Sequence, residues 1–479
     1  MAEAGSASPR TAMSPKAGLS AGAVLAFACA YMPYSAMVLS IAVQLPPFFA
    51  GQLGLGLAAG AAFGVVRLID IPVDPLLGLM IDKTRTPLGR YRPWMMAGVP
   101  IMMLALYMLY QAKPGIDEGY LVLWLLVVYL GMSILLVAGN AWASSLATTY
   151  KARSRIFGAM LGMGVLGTVT ALVIPVVAKG LGRSDLVGMR AVGWFLFALA
   201  PASVVIALLR TPERPAALST ARPFRLADYA ALLSRGNVLR ILAADFCVTM
   251  GPGWMAALYV FYFRDSRELP VTTGYLLLAL YILAGLAGGP AAAWLANRIS
   301  KHRALIVTTT LYSLALIVIP LLPRGRALPA VLPMFCLGAL ATGFVVMVRA
   351  ITADVGDQLR LEGGRDLMGL LYAVTSATTK AASALSIFVS YALLNSFGYD
   401  ARPHAVNGLA QIHGLELIFI TGPIVFVMLG GAAFIGYKLS AERHAEIRQK
   451  LDARDGLLTE SLGLDGVGPS PGQPVITRP

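Results

Sequence analysis

Charge is scarce in this chain. Only 13% of its 479 residues are Asp, Glu, Lys or Arg, while 57% are hydrophobic; soluble domains carry about a quarter charged residues. An ordinary soluble domain is therefore excluded, and a nucleic-acid partner is not implied by the net charge of +14. Cysteine is almost missing as well. Cys29, Cys247 and Cys336 each fall singly inside an apolar stretch with no CxxC, which argues against a disulfide framework or thiolate metal site. The four histidines, His302, His404, His413 and His444, fall in loops, tails or span ends, so no buried pair is expected to hold a metal. HExxH, GxSxG and the Walker GxxxxGK[ST] are also missing. The expectation is a protein that is not an enzyme and has no resident cofactor. Without a nucleotide site, any active transport must draw on an ion gradient.

What the chain does have is long apolar runs. Segments of about twenty apolar residues suffice to cross a bilayer, and twelve can be read. They include Leu19–Val43, Leu55–Ile81, Ile241–Phe263, Leu328–Ala353 and Leu367–Leu394. The class is an all-α polytopic membrane protein. Residues 1–16 read as a disordered tail, 17–210 as a first six-helix half and 211–238 as a basic linker. Residues 239–439 form a second six-helix half, and 440–479 a charged, then Gly/Pro-rich tail. Lys83, Arg85, Arg90 and Arg92 after the second span, Lys151, Arg153 and Arg155 after the fourth, and Arg298, Lys301 and Arg303 after the eighth load one side with cations. That bias places both termini in the cytoplasm, in a plasma (inner) membrane. A monomer is expected. Polar exits at GLMIDKTRTPLGRYR (78–92) and WLANRISKHR (294–303) echo each other, as paired halves of a transporter would.

The stretch RLIDIPVDPLLGLMIDKTRTPLGRYRPW (67–94) sets charge inside an apolar span. Residues three and four apart share a helix face, so Arg67, Asp70 and Asp74 form a stripe that Gly78 and Asp82 continue. A charge at the bilayer centre costs about 2.5–3.5 kcal/mol on insertion scales. One arginine beside two aspartates leaves a surplus acid, which points to a cation or proton site. Lys380, deep in TSATTKAASALS, needs a carboxylate or a substrate, and Asp70 or Asp74 is the natural expectation. Asn140 offers an amide either to a cation shell or to an interhelical hydrogen bond. Tyr31, Tyr34 and Trp142 are flat faces for a solute. Asp245 and Arg349 fall near predicted span ends and read as structural. Ion pairs of Asp82, Arg90, Asp354, Asp357 and Arg365 are expected to latch the inner ends of helices, a network being needed because exposed pairs give at most ~1 kcal/mol each.

This stretch resembles the signature of the glycoside–pentoside–hexuronide:cation symporters, the melibiose-permease family within the major facilitator superfamily. LPPFFAGQLGLGL (45–57), YKARSRIFG (150–158) and ADVGDQLRLEGGRDLMGLLYAVTSATTKAASAL (353–385) extend the resemblance over nearly the whole chain. It implies a major-facilitator fold and a monomeric secondary transporter of sugars or glycosides coupled to Na⁺ or H⁺. Asp70 and Asp74 then match the cation-site aspartates, while Lys380 and Trp142 match residues of the solute pocket. The chain departs from the family's sugar transporters in three places. Its first span has no acid, Ala138 stands where they carry an aspartate, and Met160–Leu161 replaces an Arg-Glu pair. Two alternatives are therefore carried: the same fold moving a hydrophobic or amphipathic solute, and a non-transporting membrane assembly or sensor protein.

Overall fold

A computed structural model describes residues 20–146, 150–213, 226–363, 367–402 and 405–437, with 443, 445–447, 449–451, 453 and 454 of the C-terminal stretch. Arg365 and the two tails' remaining residues lie outside the described ones. Among the described residues, twelve helices are long and apolar enough to cross a membrane. They are α1 (Ala21–Gln52), α2 (Gly56–Lys83), α3 (Arg92–Tyr110), α4 (Glu118–Leu146), α5 (Ala152–Gly180) and α6 (Asp185–Arg210), followed by α7 (Gly236–Ser266), α8 (Val271–Ile299), α9 (Lys301–Leu321), α10 (Leu328–Glu362), α11 (Met368–Ser396) and α12 (Leu409–Ala432). Among the described residues no strand forms beyond an isolated bridge between Thr86 and Gly89. The chain divides into two compact units, one of Met1–Thr220 with Pro270–Ala279 and Leu394–Gly408, the other of Ala221–Leu269, Leu280–Leu393 and Leu409–Pro479.

Several helices differ from what apolar length alone predicts. The first does not stop at Val43 but runs to Gln52, past Pro46 and Pro47. Proline has no amide proton, so the ordinary i→i+4 ladder fails there. The helix continues through two wider π turns, Ser40–Gln44 and Phe48–Gln52. α7 ends on a third, Tyr262–Ser266. The closing bonds match: Leu53 N to Phe48 O at 3.0 Å and Leu55 N to Phe49 O at 3.1 Å, against Arg267 N to Tyr262 O at 3.1 Å and Leu269 N to Phe263 O at 2.9 Å. The residue between the closing pair is left-handed in both, Gly54 at φ +84° and Glu268 at φ +55°. This repeated backbone motif is a closer internal echo than the two polar loop sequences.

α10 runs to Glu362 rather than ending at Ala353. Its polar last turns are held by ion pairs: Lys301 to Asp354 at 2.7 Å and Arg235 to Glu362 at 2.8 Å. Asn237 donates to Gln358 at 2.9 Å, fixing the start of α7 against the end of α10. Arg349 is consequently inside a long helix, well away from its end, and Asp245 is nine residues into α7. In the same unit the Arg267 guanidinium, only 6% exposed, donates to the Pro320 and Leu322 carbonyls at 2.7 and 3.0 Å and pairs with Glu416. A single arginine thus ties the end of α7 to the end of α9 and to α12.

The packing between helices relies on small residues, because lipid gives little hydrophobic drive for helices to associate. A Cβ added at Gly338 of α10 would strike the Tyr281 carbonyl of α8, and one added at Gly288 of α8 would strike the Ala339 carbonyl of α10. In the other unit, Glu213, just past α6, accepts from the backbone amides of Arg90, Tyr91 (2.9 Å) and Arg92 (3.4 Å) at the start of α3. These are amides that a helix start leaves without intrahelical partners, and the helix dipole favours an anion there. Glu213 lines a cavity of about 840 Å³ together with Thr84, Arg85, Arg90, Arg92 and Pro212.

Two outcomes follow from this packing. Gly338→Ala should destabilise the protein by about 1–3 kcal/mol through overpacking, seen as a lower melting temperature of the purified protein. Glu213→Gln should cost about 1 kcal/mol by weakening a charged helix cap, while Glu213→Ala should cost more in the same assay.

Candidate functional site

The acid pair sits at a break in α2. Its regular helices are Ala59–Ile69 and Val73–Lys83, with Asp70, Ile71 and Pro72 forming a turn between them. Arg67, Asp70 and Asp74 therefore do not lie on one uninterrupted helix. Pro72 and Pro75 explain the interruption, since neither has an amide proton to donate one turn back. The Ile71 amide turns to Leu68 O at 3.2 Å instead of reaching Arg67 O, and Val73 N bonds Asp70 O at 3.1 Å. Pro75 leaves the Ile71 carbonyl without its ordinary i+4 donor. Broken spans with released carbonyls persist in membranes only where protein or water satisfies them.

Asp70 is 2% exposed. Arg67 Nη1 lies 3.3 Å from its Oδ2, and Ser133 Oγ of α4 donates to its Oδ1 at 3.0 Å. The Arg67 guanidinium is also held over the Tyr129 ring, 4.8 Å from its centroid. Tyr34 of α1 lies within electrostatic reach of Arg67, Asp70 and Asp74, and its ring is 5.2 Å from that of Tyr31. α1, α2 and α4 thus converge on one arginine and two carboxylates. The formal charges sum to one negative, which suits one monovalent cation or proton. Oxygens from carboxylate, hydroxyl and main chain are the donor types a hard cation takes.

Ser133 and Tyr129 were not legible as site residues, being an unremarked hydroxyl and aromatic in an apolar helix. Asn140 lies seven residues past Ser133, two turns on along the same face of α4. Trp142 is fully buried, packed edge-on against Phe27 at 5.2 Å with Arg92 5.9 Å from its ring centroid. Its ring is enclosed by these neighbours. Asp82 and Arg90 are brought together, and Arg90 Nε also donates to Ile81 O at 3.1 Å. Asp354 meets Lys301 of α9, a partner outside the 353–369 cluster. Asp357 is on α10, three residues further along.

The other unit has its own polar layer. Lys380 of α11 is 6% exposed. Beside it, Thr379 donates to Asp245 of α7 at 2.7 Å. Among the described residues no cluster of three or more His, Cys, Asp or Glu is arranged to hold a metal.

Comparison with known proteins shows the family and the fold. The family model for MFS/sugar transport proteins matches residues 26–441. The isoprimeverose transporter of Lactiplantibacillus pentosus is 24% identical, the alignment covering 86% of this chain and 88% of that protein. The sodium-dependent lysophosphatidylcholine symporter 1-B of Danio rerio is 22% identical over 81% of each. The crystal structure of the nucleoside transporter NupG superposes with a TM-score of 0.66 at 13% identity, over 88% of this chain and 100% of that one, which shows the shared fold. The chain is a member of the glycoside–pentoside–hexuronide:cation symporter family of the major facilitator superfamily.

Proposed function

We propose that this protein is a secondary active transporter that couples movement of a sugar or glycoside to a cation gradient through Asp70 and Asp74. The observation that carries this reading is the placing of two aspartates, with one arginine, at the break in α2. One aspartate is engaged by Arg67 and Ser133, and a second stands one turn away in a span that must sit in lipid. A carboxylate charge at that depth of a membrane costs about 2.5–3.5 kcal/mol. Loading with Na⁺ or H⁺ removes that cost, so the loaded and empty carriers differ in which conformations they tolerate. Asn140, two turns along α4 from Ser133, extends the polar path in this reading, and Tyr31 and Tyr34 give α1 an aromatic face beside the acids. Lys380 serves as a solute group of the second unit. Asp82 with Arg90, and Asp354 with Lys301, act as latches at helix ends, with Asp357 and Arg365 assigned to the same network. The names of the sugar-transporting relatives support the cargo.

A second reading is favoured by two specific observations. α1 has no acid to bind sugar hydroxyls, and one relative is a sodium-dependent lysophosphatidylcholine symporter. An amphipathic solute would use the same coupling site with a less polar pocket.

Asp74→Asn should lower gradient-driven accumulation in reconstituted vesicles at least tenfold, while leaving the melting temperature and the elution profile unchanged. Retention of wild-type accumulation by that variant would sink the coupling role.

A further inference from the structure

The second unit contains a charge that the coupling site does not use. Arg349 lies inside α10, thirteen residues from Glu362 at its end. Its position can be measured from a fixed point. Asn237 and Gln358 are hydrogen-bonded at 2.9 Å, so the two helices are in register there. Eight residues on from Asn237, at about 1.5 Å per residue, Asp245 is about 12 Å into the unit. Nine residues back from Gln358, Arg349 is about 13.5 Å in. The two charges share a layer, and the charge of Arg349 reaches Asp245 through space. Thr379 Oγ1, at 2.7 Å from Asp245 Oδ2, brings α11 and its Lys380 into the same layer.

The contacts in this layer are unequal. Asp245 is held by a hydroxyl. Arg349 is exposed and makes no hydrogen bond or ion pair among the described residues. A guanidinium inside a membrane span is costly, and such groups face a protein interior or a water-filled path instead of lipid. Five N–H donors in a fixed fork match a carboxylate or phosphate in two-point contact better than they match any neutral group.

We infer that Arg349 is a solute-recognition residue that binds an oxyanion, so that the transported solute carries a carboxylate or a phosphate. The inference rests on the transport reading and narrows its cargo. Asp245, kept in place by Thr379, sets a negative charge in the arginine's layer and offers its other oxygen to a hydroxyl of the same solute. The oxyanion has two possible sources, a sugar acid and a lysophospholipid headgroup, and the test separates them.

Purified full-length protein is assayed for binding to two matched pairs, methyl β-D-glucuronide with methyl β-D-glucoside, and lysophosphatidic acid with the monoacylglycerol of the same chain length. In one pair the anionic member should bind at least tenfold more tightly, and that pair identifies the source. Arg349→Gln should reduce the preference to less than threefold, and Arg349→Lys should retain part of it, because the charge remains without the fork. Equal binding within both pairs by the native protein, which needs no variant, overturns the assignment. So does an unchanged preference in Arg349→Gln. Because binding is read without a gradient, a failure of gradient-driven uptake would count against the transport reading and leave the oxyanion preference to be judged separately.

Discussion

The structure depends on the cost of holding charge inside a bilayer. Each ionisable residue in a span must be paired, bound to a ligand or given water. Arg67 shows the most complete answer, held by Asp70 on one side and by the Tyr129 ring on the other. Asp70 in turn takes the Ser133 hydroxyl. The break in α2 belongs to the same solution. Pro72 and Pro75 remove donors and release main-chain oxygens there, and the helix resumes at Val73 with Asp74 in its first turn. Local chain chemistry and site chemistry are here the same feature.

The scaffold around these sites is set by close backbone approach and by anchored helix ends. Gly338 and Gly288 let α8 and α10 pack main chain against main chain. Glu213 caps α3 from the end of α6, and Arg267 ties the ends of α7 and α9 to α12. The π turns closing α1 and α7 are built alike, with bonds at equivalent residues and a left-handed residue at the same place. A repeat of this kind is preserved in backbone geometry although the residues differ, Gly54 in one copy and Glu268 in the other.

Much of this was legible in the sequence because membrane physics acts on single residues. Apolar length gave the twelve spans, and Arg67, Asp70 and Asp74 stood out because little else in their surroundings is charged. Helix ends were harder to read. An apolar window closes at Ala353, but ion pairs from Lys301 and Arg235 carry α10 on to Glu362. That extension moves Arg349 from a helix end into the interior and changes its meaning. Ser133, Tyr129 and Thr379 carried no signal, since a lone hydroxyl or ring in an apolar helix acquires a role only from the helix packed against it. Pro72 was visible, but whether a proline bends a helix or interrupts it depends on which neighbours satisfy the released groups.

The central claim is that a cation gradient drives the solute through the two aspartates at the α2 break. The most direct measurement uses sealed vesicles containing the native protein, with methyl glucoside and methyl glucuronide as solutes. A Na⁺ gradient at fixed pH and a pH gradient at fixed Na⁺ are imposed in separate experiments. The account predicts that one of the two gradients raises the internal concentration of at least one solute above the bath and that dissipating the gradient releases it. Equal internal and external concentrations under both gradients, with the solutes shown to bind, would contradict it.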